Sequence, residues 1–315
     1  MRGRALGLAI LSVVFVAGLV ACGGTPAPSS APSAAAASPG ASASTDLVKD
    51  VDVGAGTMHL VCVGPTDTGE PTILLEAGGG MDYSAWSDVL TGLQSKHRLC
   101  AYDRLGLGSS SQPAETSRTA ADQATDLHTL LDKAGVKGPF VIGAHSFGAI
   151  IATLFAQAYP DDVRGVVFVD PQAPRQSEAF LKALPPASAD ESSAVKEIRE
   201  VLEDFETDPS QNPEHVAIRE SGAKASAALD AAGPLFGDRP VIVLSAGRPP
   251  PDFASMPAEV SKALLAARAA AQQELADEST AGSLEVVPDA GHNIQAENPD
   301  AVIAALEKVL AAAKS

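Results

Sequence analysis

One feature constrains this chain more than any other: short uninterrupted apolar runs alternate with stretches of helical apolar spacing. The runs are 72–76, 98–102, 140–143, 165–169, 240–245 and 284–287, each bounded by glycine, proline or polar turns. They carry no polar face, so they suit strands covered on both sides by helices in a parallel sheet. Ahead of them, 47–53 and 57–63 alternate apolar and polar residues about Gly54-Ala55-Gly56, the pattern of an antiparallel hairpin. Helices are expected over 82–93, 119–134, 147–158, 257–277 and 299–313. In 119–134, Ala120, Ala124, Leu127, Leu130, Leu131 and Ala134 share one face. The rhythm breaks over 171–238, which is rich in Ala, Glu, Ser and Pro. Weak helices are expected there near 176–184, 191–206 and 213–232, and no strand. The expectation is one α/β body, a mostly parallel sheet flanked by helices, with a helical insertion after the sixth strand.

Composition fits such a body and removes other classes. With 315 residues, 45% hydrophobic and 19% charged, the chain can build a sizeable core and is not disordered throughout. The formal net charge is −17, and no Lys/Arg-rich run occurs, so the basic footprint of a nucleic-acid binder is missing. The 3 cysteines and 6 histidines show no C-x-x-C or H-x-x-x-H spacing. No metal and no organic cofactor is expected.

The N-terminus reads as an address. Met-Arg-Gly-Arg precedes an apolar run over 5–21 and then Cys22. The run is shorter than the roughly 20 residues a membrane span needs, and its charged start suits a secretory signal. Leu19-Val20-Ala21-Cys22 resembles a bacterial lipobox. That resemblance implies a lipid-modified Cys22 that becomes the new N-terminus, with 1–22 as signal peptide. A plain signal peptide or an uncleaved anchor are the alternatives. Residues 23–45, almost only Ala, Ser, Pro, Gly and Thr, read as a flexible linker, so the folded domain is expected over 46–315. The expected location is the outer face of the bacterial cell membrane, reached through the lipid anchor at Cys22, in an oxidising compartment.

The chemistry gathers at one turn. Phe140-Val141-Ile142-Gly143-Ala144-His145-Ser146-Phe147-Gly148 sets small-x-Ser-x-Gly between a predicted strand and a predicted helix. A serine there sits on a tight turn that exposes its hydroxyl at the carboxyl edge of the sheet, beside the N–H groups of the helix start. With this turn the chain resembles the α/β-hydrolase superfamily over about 46–315, with Ala144 where the usual first glycine stands. The resemblance implies an eight-stranded sheet of order 1-2-4-3-5-6-7-8 and Ser146 as nucleophile. Ala290-Gly291-His292, between the last strand and the last helix, matches the family's Gly-His turn, which makes His292 the base. The oxyanion hole falls to the amide of Phe147 and, in Ala77-Gly78-Gly79, to Gly79. Asp103-Arg104 with Gly106 and Gly108 resembles a family loop that braces the site. Tyr83 and Trp86 read as core residues, and His145 as structural. His59, His97, His128 and His215 read as surface or helix-face histidines.

The triad acid has two candidates. Relatives most often place it after strand 7, where the nearest acid is Asp252, past Pro249-Pro250-Pro251. Others place it after strand 6, where Asp170 stands. An acid is needed to set the tautomer of His292 and to stabilise its charged form. In the family's sheet order the second and fourth strands are neighbours, so Cys62 and Cys100 are placed for a disulfide.

The function these residues imply is a serine hydrolase that cleaves an ester, or an amide, through an acyl-enzyme. An esterase or lipase acting on a small-molecule or lipid ester leads; a peptidase and a cofactor-free perhydrolase stay open. Serine rather than aspartate at the elbow argues against dehalogenase or epoxide hydrolase chemistry. The alternative from another class is a catalytically degenerate fold used as a cell-surface binding module.

Overall fold

A computed structural model describes residues 46–230 and 233–313. The expected signal peptide 1–22 with Cys22, and the whole linker 23–45 with it, lie outside the described residues. Eight strands form one sheet of order β1-β2-β4-β3-β5-β6-β7-β8. They are β1 Leu47–Asp52, β2 Thr57–Val63, β3 Thr72–Glu76, β4 Leu99–Tyr102, β5 Phe140–His145, β6 Val163–Val169, β7 Val241–Ala246 and β8 Gly282–Val287. The pairs β1/β2 and β2/β4 are antiparallel, and every other pair is parallel.

The helices are α1 Ser87–Leu93, α2 Ala120–Ala134, α3 Gly148–Ala158, α4 Gln176–Ala183, α5 Ser193–Glu200, α6 Ile218–Leu229, α7 Ala258–Asp277, α8 Ile294–Glu297 and α9 Pro299–Ala312. The period of two in the central strands divides the core. Ile142, Val166, Phe168 and Val243 face the layer built on α2, α3 and α6. Val141, Val167, Val169 and Leu244 face the layer built on α1 and α9. Both faces of the sheet are therefore dry, which is why β3, β5, β6 and β7 can be apolar almost without interruption.

Helices α4, α5 and α6 lie between β6 and β7. Phe180, Leu184, Val195, Ile198 and Leu202 from this insertion pack on Phe253, Met256 and Leu264 in a third apolar cluster. The expected helix over 191–206 is α5 continued by a π-turn, Val201–Phe205. The one expected over 213–232 starts late, because the Asn212 side chain holds Val216 in extended form. It donates to Val216 O at 2.8 Å and accepts from Val216 N at 3.1 Å. The expected helix over 82–93 opens instead as a 3-10 turn, Tyr83–Trp86, because Asp82 caps Ser84 N and Trp86 is fully buried.

Cys62 and Cys100 face each other across β2 and β4 and form a disulfide that spans a sequence separation of 38. Replacing both by alanine is expected to lower unfolding stability by about 2–4 kcal/mol, since the open chain regains loop entropy. Urea unfolding of the oxidised protein against the double variant checks this.

Candidate active site

Three strand ends bring the site together at the carboxyl edge of the sheet. Ser146 follows β5, Asp170 follows β6 and His292 lies beyond β8. Ser146 has φ 51°, a left-handed backbone that costs a non-glycine residue about 1–3 kcal/mol. Neighbours hold it there: Ser146 N donates to Val169 O at 3.2 Å, and Ser146 O accepts from Gln172 N at 3.1 Å. Gly148 lets α3 press on the loop after β3, for a Cβ at that position would lie 2.6 Å from Ala77 O.

Ser146 Oγ lies 2.9 Å from His292 Nε2, and His292 Nδ1 lies 2.6 Å from Asp170 Oδ2. Asp170 is 2% exposed and also takes φ 41°. Its Oδ1 accepts from Ala246 N at 3.0 Å and pairs with Arg268 of α7, with Gln272 at 3.3 Å. Burial pushes the Asp170 carboxyl up, but the hydrogen bond from His292 and the Arg268 charge outweigh burial and leave it at about 2. A carboxylate can only accept. So Nδ1 of His292 carries the proton, and Nε2 is left to accept from the Ser146 hydroxyl.

The loop that bears His292 is braced from two sides. His145 Nε2 donates to the backbone carbonyl of His292 at 3.0 Å. Burial, with His292 close by, lowers His145 to about 3, so its ring is neutral. On the other side Glu297 accepts from Gly291 N at 2.8 Å and pairs with Arg248, whose own N donates to Ala290 O at 3.0 Å.

The loop after β3 is held by a buried clamp. Arg104 donates to Ala77 O at 2.7 Å, to Gly78 O at 2.6 Å, to Glu76 Oε1 at 2.6 Å and to Glu214 Oε2 at 2.6 Å. Glu214, from the insertion, accepts from Gly80 N at 2.8 Å and from Gln123 Nε2 at 2.7 Å. Asp103 ties Tyr83 N and Ser109 N, at 2.8 and 2.7 Å, into the same corner. A Cβ on Gly79 would lie 3.5 Å from Phe147 Cβ, so these two residues stand side by side near Ser146.

A cavity of about 440 Å³ opens on Ser146, Asp170 and His292. Asp252 lies on its wall in the 3-10 turn Pro251–Ser255, while the carboxylate at His292 Nδ1 is that of Asp170. Of the other histidines, His59 bonds Asp50, His97 bonds Glu70, and His128 stacks on Tyr159. His215 Nδ1 lies 3.1 Å from Glu115 O. Trp86 is fully buried and Tyr83 half-buried. Sequence reasoning missed Arg268, Gln272 and Glu214. No local signal marks Arg268, which stands on a face of α7 that meets Asp170 only in the fold.

Comparison with known proteins places this arrangement. A stretch is 30% identical over 125 residues to Lipase 3 of a Moraxella species, covering 39% of this chain and 38% of that protein. Matched stretches cover between 18% and 39% of the first few curated relatives. Among solved structures, Cfl2 of Burkholderia cenocepacia superposes with TM-score 0.58 at 21% identity, over 84% of this chain and 95% of that one. A thermophilic esterase of Thermogutta terrifontis superposes with TM-score 0.57 at 21% identity, over 85% of this chain and 100% of that one. These two likenesses concern the fold. The profile of a family described as the alpha/beta hydrolase family matches residues 73–305, and the chain belongs to that family.

Proposed function

We propose that the protein is a serine hydrolase of carboxylic esters, with Ser146 as nucleophile, His292 as base and Asp170 as the acid that orients it. The observation that carries this reading is the chain of 2.9 and 2.6 Å contacts from Ser146 through His292 to Asp170, set in the wall of a substrate-sized cavity. A relative named as a lipase supports an ester substrate.

The chemistry follows from the atoms. Ser146 Oγ attacks the carbonyl carbon as its proton passes to His292 Nε2. The oxyanion that forms is met by the amides of Phe147 and Gly79, the first at the start of α3. The protonated His292 then delivers its proton to the departing alcohol, and an acyl-Ser146 ester remains. Water attacks that ester with His292 again as base, which frees the carboxylic acid and restores Ser146. The Asp170 carboxylate stabilises the imidazolium in both halves. Asp252 on the cavity wall belongs to substrate contact rather than to the relay. Export with lipidation at Cys22 is part of the same proposal and would hold the domain to the membrane surface through the acyl chains.

A fluorophosphonate probe with intact-mass readout tests the reading. Wild type is expected to gain one probe adduct, and Ser146→Ala none. A folded wild type that takes no adduct overturns it and leaves a binding module on a hydrolase fold.

A further inference from the structure

The cavity beside Ser146 has an apolar stretch of wall with Glu206 beside it. Phe180, Leu202 and Phe253 supply apolar surface, and Glu206, just past the π-turn of the insertion, lines the same space. Ser177 lines the same cavity and favours the charged form of the Glu206 carboxyl. Its Oε2 is buried and has no hydrogen-bond partner among the described residues. Arg219 attracts the charge but forms no ion pair with it among the described residues. A buried carboxyl oxygen without a donor is costly to fold around, and burial here raises the group to about 7.

The rest of the wall sharpens this. Its guanidiniums, Arg248 and Arg268, are bound already, to Glu297 and Asp170. The carboxylates Asp170, Glu206, Asp252 and Glu297 outnumber them. An anionic group entering the cavity would meet surplus negative charge. A group that brings its own N–H donors and positive charge would meet, in Glu206, a cavity-lining carboxyl that no cation of the described residues pairs with.

We propose that Glu206 is a substrate-binding residue and that the cavity selects esters carrying a basic amine, whose ammonium group pairs with the Glu206 carboxylate while the scissile carbonyl lies at Ser146. This rests on the reading of Ser146 as nucleophile. The amine belongs to the part of the ester that occupies the cavity, and matched pairs identify which part that is. For the alcohol side, 2-(dimethylamino)ethyl butyrate is compared with 3-methylbutyl butyrate. For the acyl side, p-nitrophenyl 6-aminohexanoate is compared with p-nitrophenyl heptanoate.

In at least one pair, wild type is expected to favour the amine by about tenfold or more in kcat/KM, the range of close charge pairs. Glu206→Gln is expected to bring that ratio near one, and Ser177→Ala, which removes a group that favours the charged carboxyl, to lower it. The chain's net charge of −17 attracts any cation. A preference that persists in Glu206→Gln therefore belongs to that general field and overturns the assignment, as does a wild type without preference in either pair. The fluorophosphonate adduct is read in the same samples. Its absence from folded wild type sinks the serine reading and this one together, whereas an adduct without amine preference sinks this one alone.

Discussion

Ser146→Ala is expected to lower ester turnover by about 10⁵–10⁶-fold and Asp170→Asn by about 10⁴-fold. The first removes the atom that bonds to carbon. The second acts through the imidazole. His292 Nδ1 now donates to Asp170 Oδ2 at 2.6 Å. An amide in that place can turn its own N–H toward Nδ1 and so favour the tautomer that carries hydrogen on Nε2. That tautomer cannot accept from the Ser146 hydroxyl, and the imidazolium formed during attack also loses its counter-charge. Arg268 and Ala246 N both lean on the other oxygen of Asp170, so the amide variant loses a charge partner as well. Thermal unfolding of the same sample separates that structural loss from the kinetic one. Asp252→Asn leaves the tautomer of His292 alone, and its effect on kcat is expected to stay within about tenfold. The opposite ranking of the two aspartate variants would move the acid to the turn after β7.

The parts of this molecule that are legible in its sequence are those with local causes. A run such as Phe140–His145 can only be a buried strand, and the small residues that follow it leave room for a sharp turn into α3. Hairpin alternation marks β1 and β2 for the same reason. The two acids could not be separated by local reasoning. Asp170 and His292 are 122 residues apart, and the partners that hold the aspartate, Arg268 and Gln272, sit on one face of α7 some hundred positions beyond it. Nothing in the helix sequence says that this face meets a strand end. Glu214 is more remote still: it lies in the weakly patterned insertion, 134 residues from the Gly80 amide that it holds. Pattern reading places helices in the insertion, at 176–183, 193–205 and 218–229, but not the residues they turn to the cavity. Helices α4 and α5 pack with 253–264 in a small cluster, α6 joins the layer of α2 and α3, and residues of α4 and the π-turn line the cavity.

Arg104→Met is expected to cost about 3–5 kcal/mol of unfolding stability and to abolish turnover with it. Arg104 is 2% exposed, and the carboxyls on either side of it, Glu76 and Glu214, are 1% and 4% exposed. Burial raises the Glu76 carboxyl even with the guanidinium present. Glu214 is also pushed up by burial, but the charge and hydrogen bonds of Arg104 hold it below the usual carboxylate range. Methionine fills much of the space and removes all of the donors. Two carboxylates, the Ala77 carbonyl and the Gly78 carbonyl would then share a dry pocket with no cation. The sign of the pH dependence distinguishes a buried-charge cost from simple loss of packing. Without Arg104 the folded-state pKa values of Glu76 and Glu214 rise above their unfolded values, so the folded state binds more protons than the unfolded one. Stability of the variant must then recover as pH falls toward the acid side of neutral, and worsen as it rises. Lysine cannot substitute, since a single ammonium reaches neither both carboxyls nor both carbonyls at once. Urea unfolding of wild type, Arg104→Met and Arg104→Lys at mildly acidic and mildly alkaline pH checks this. A deficit that is the same at both pH values would mean that Arg104 serves as filler, and that the loop after β3 owes its shape to Gly79, Phe147 and the helix behind them.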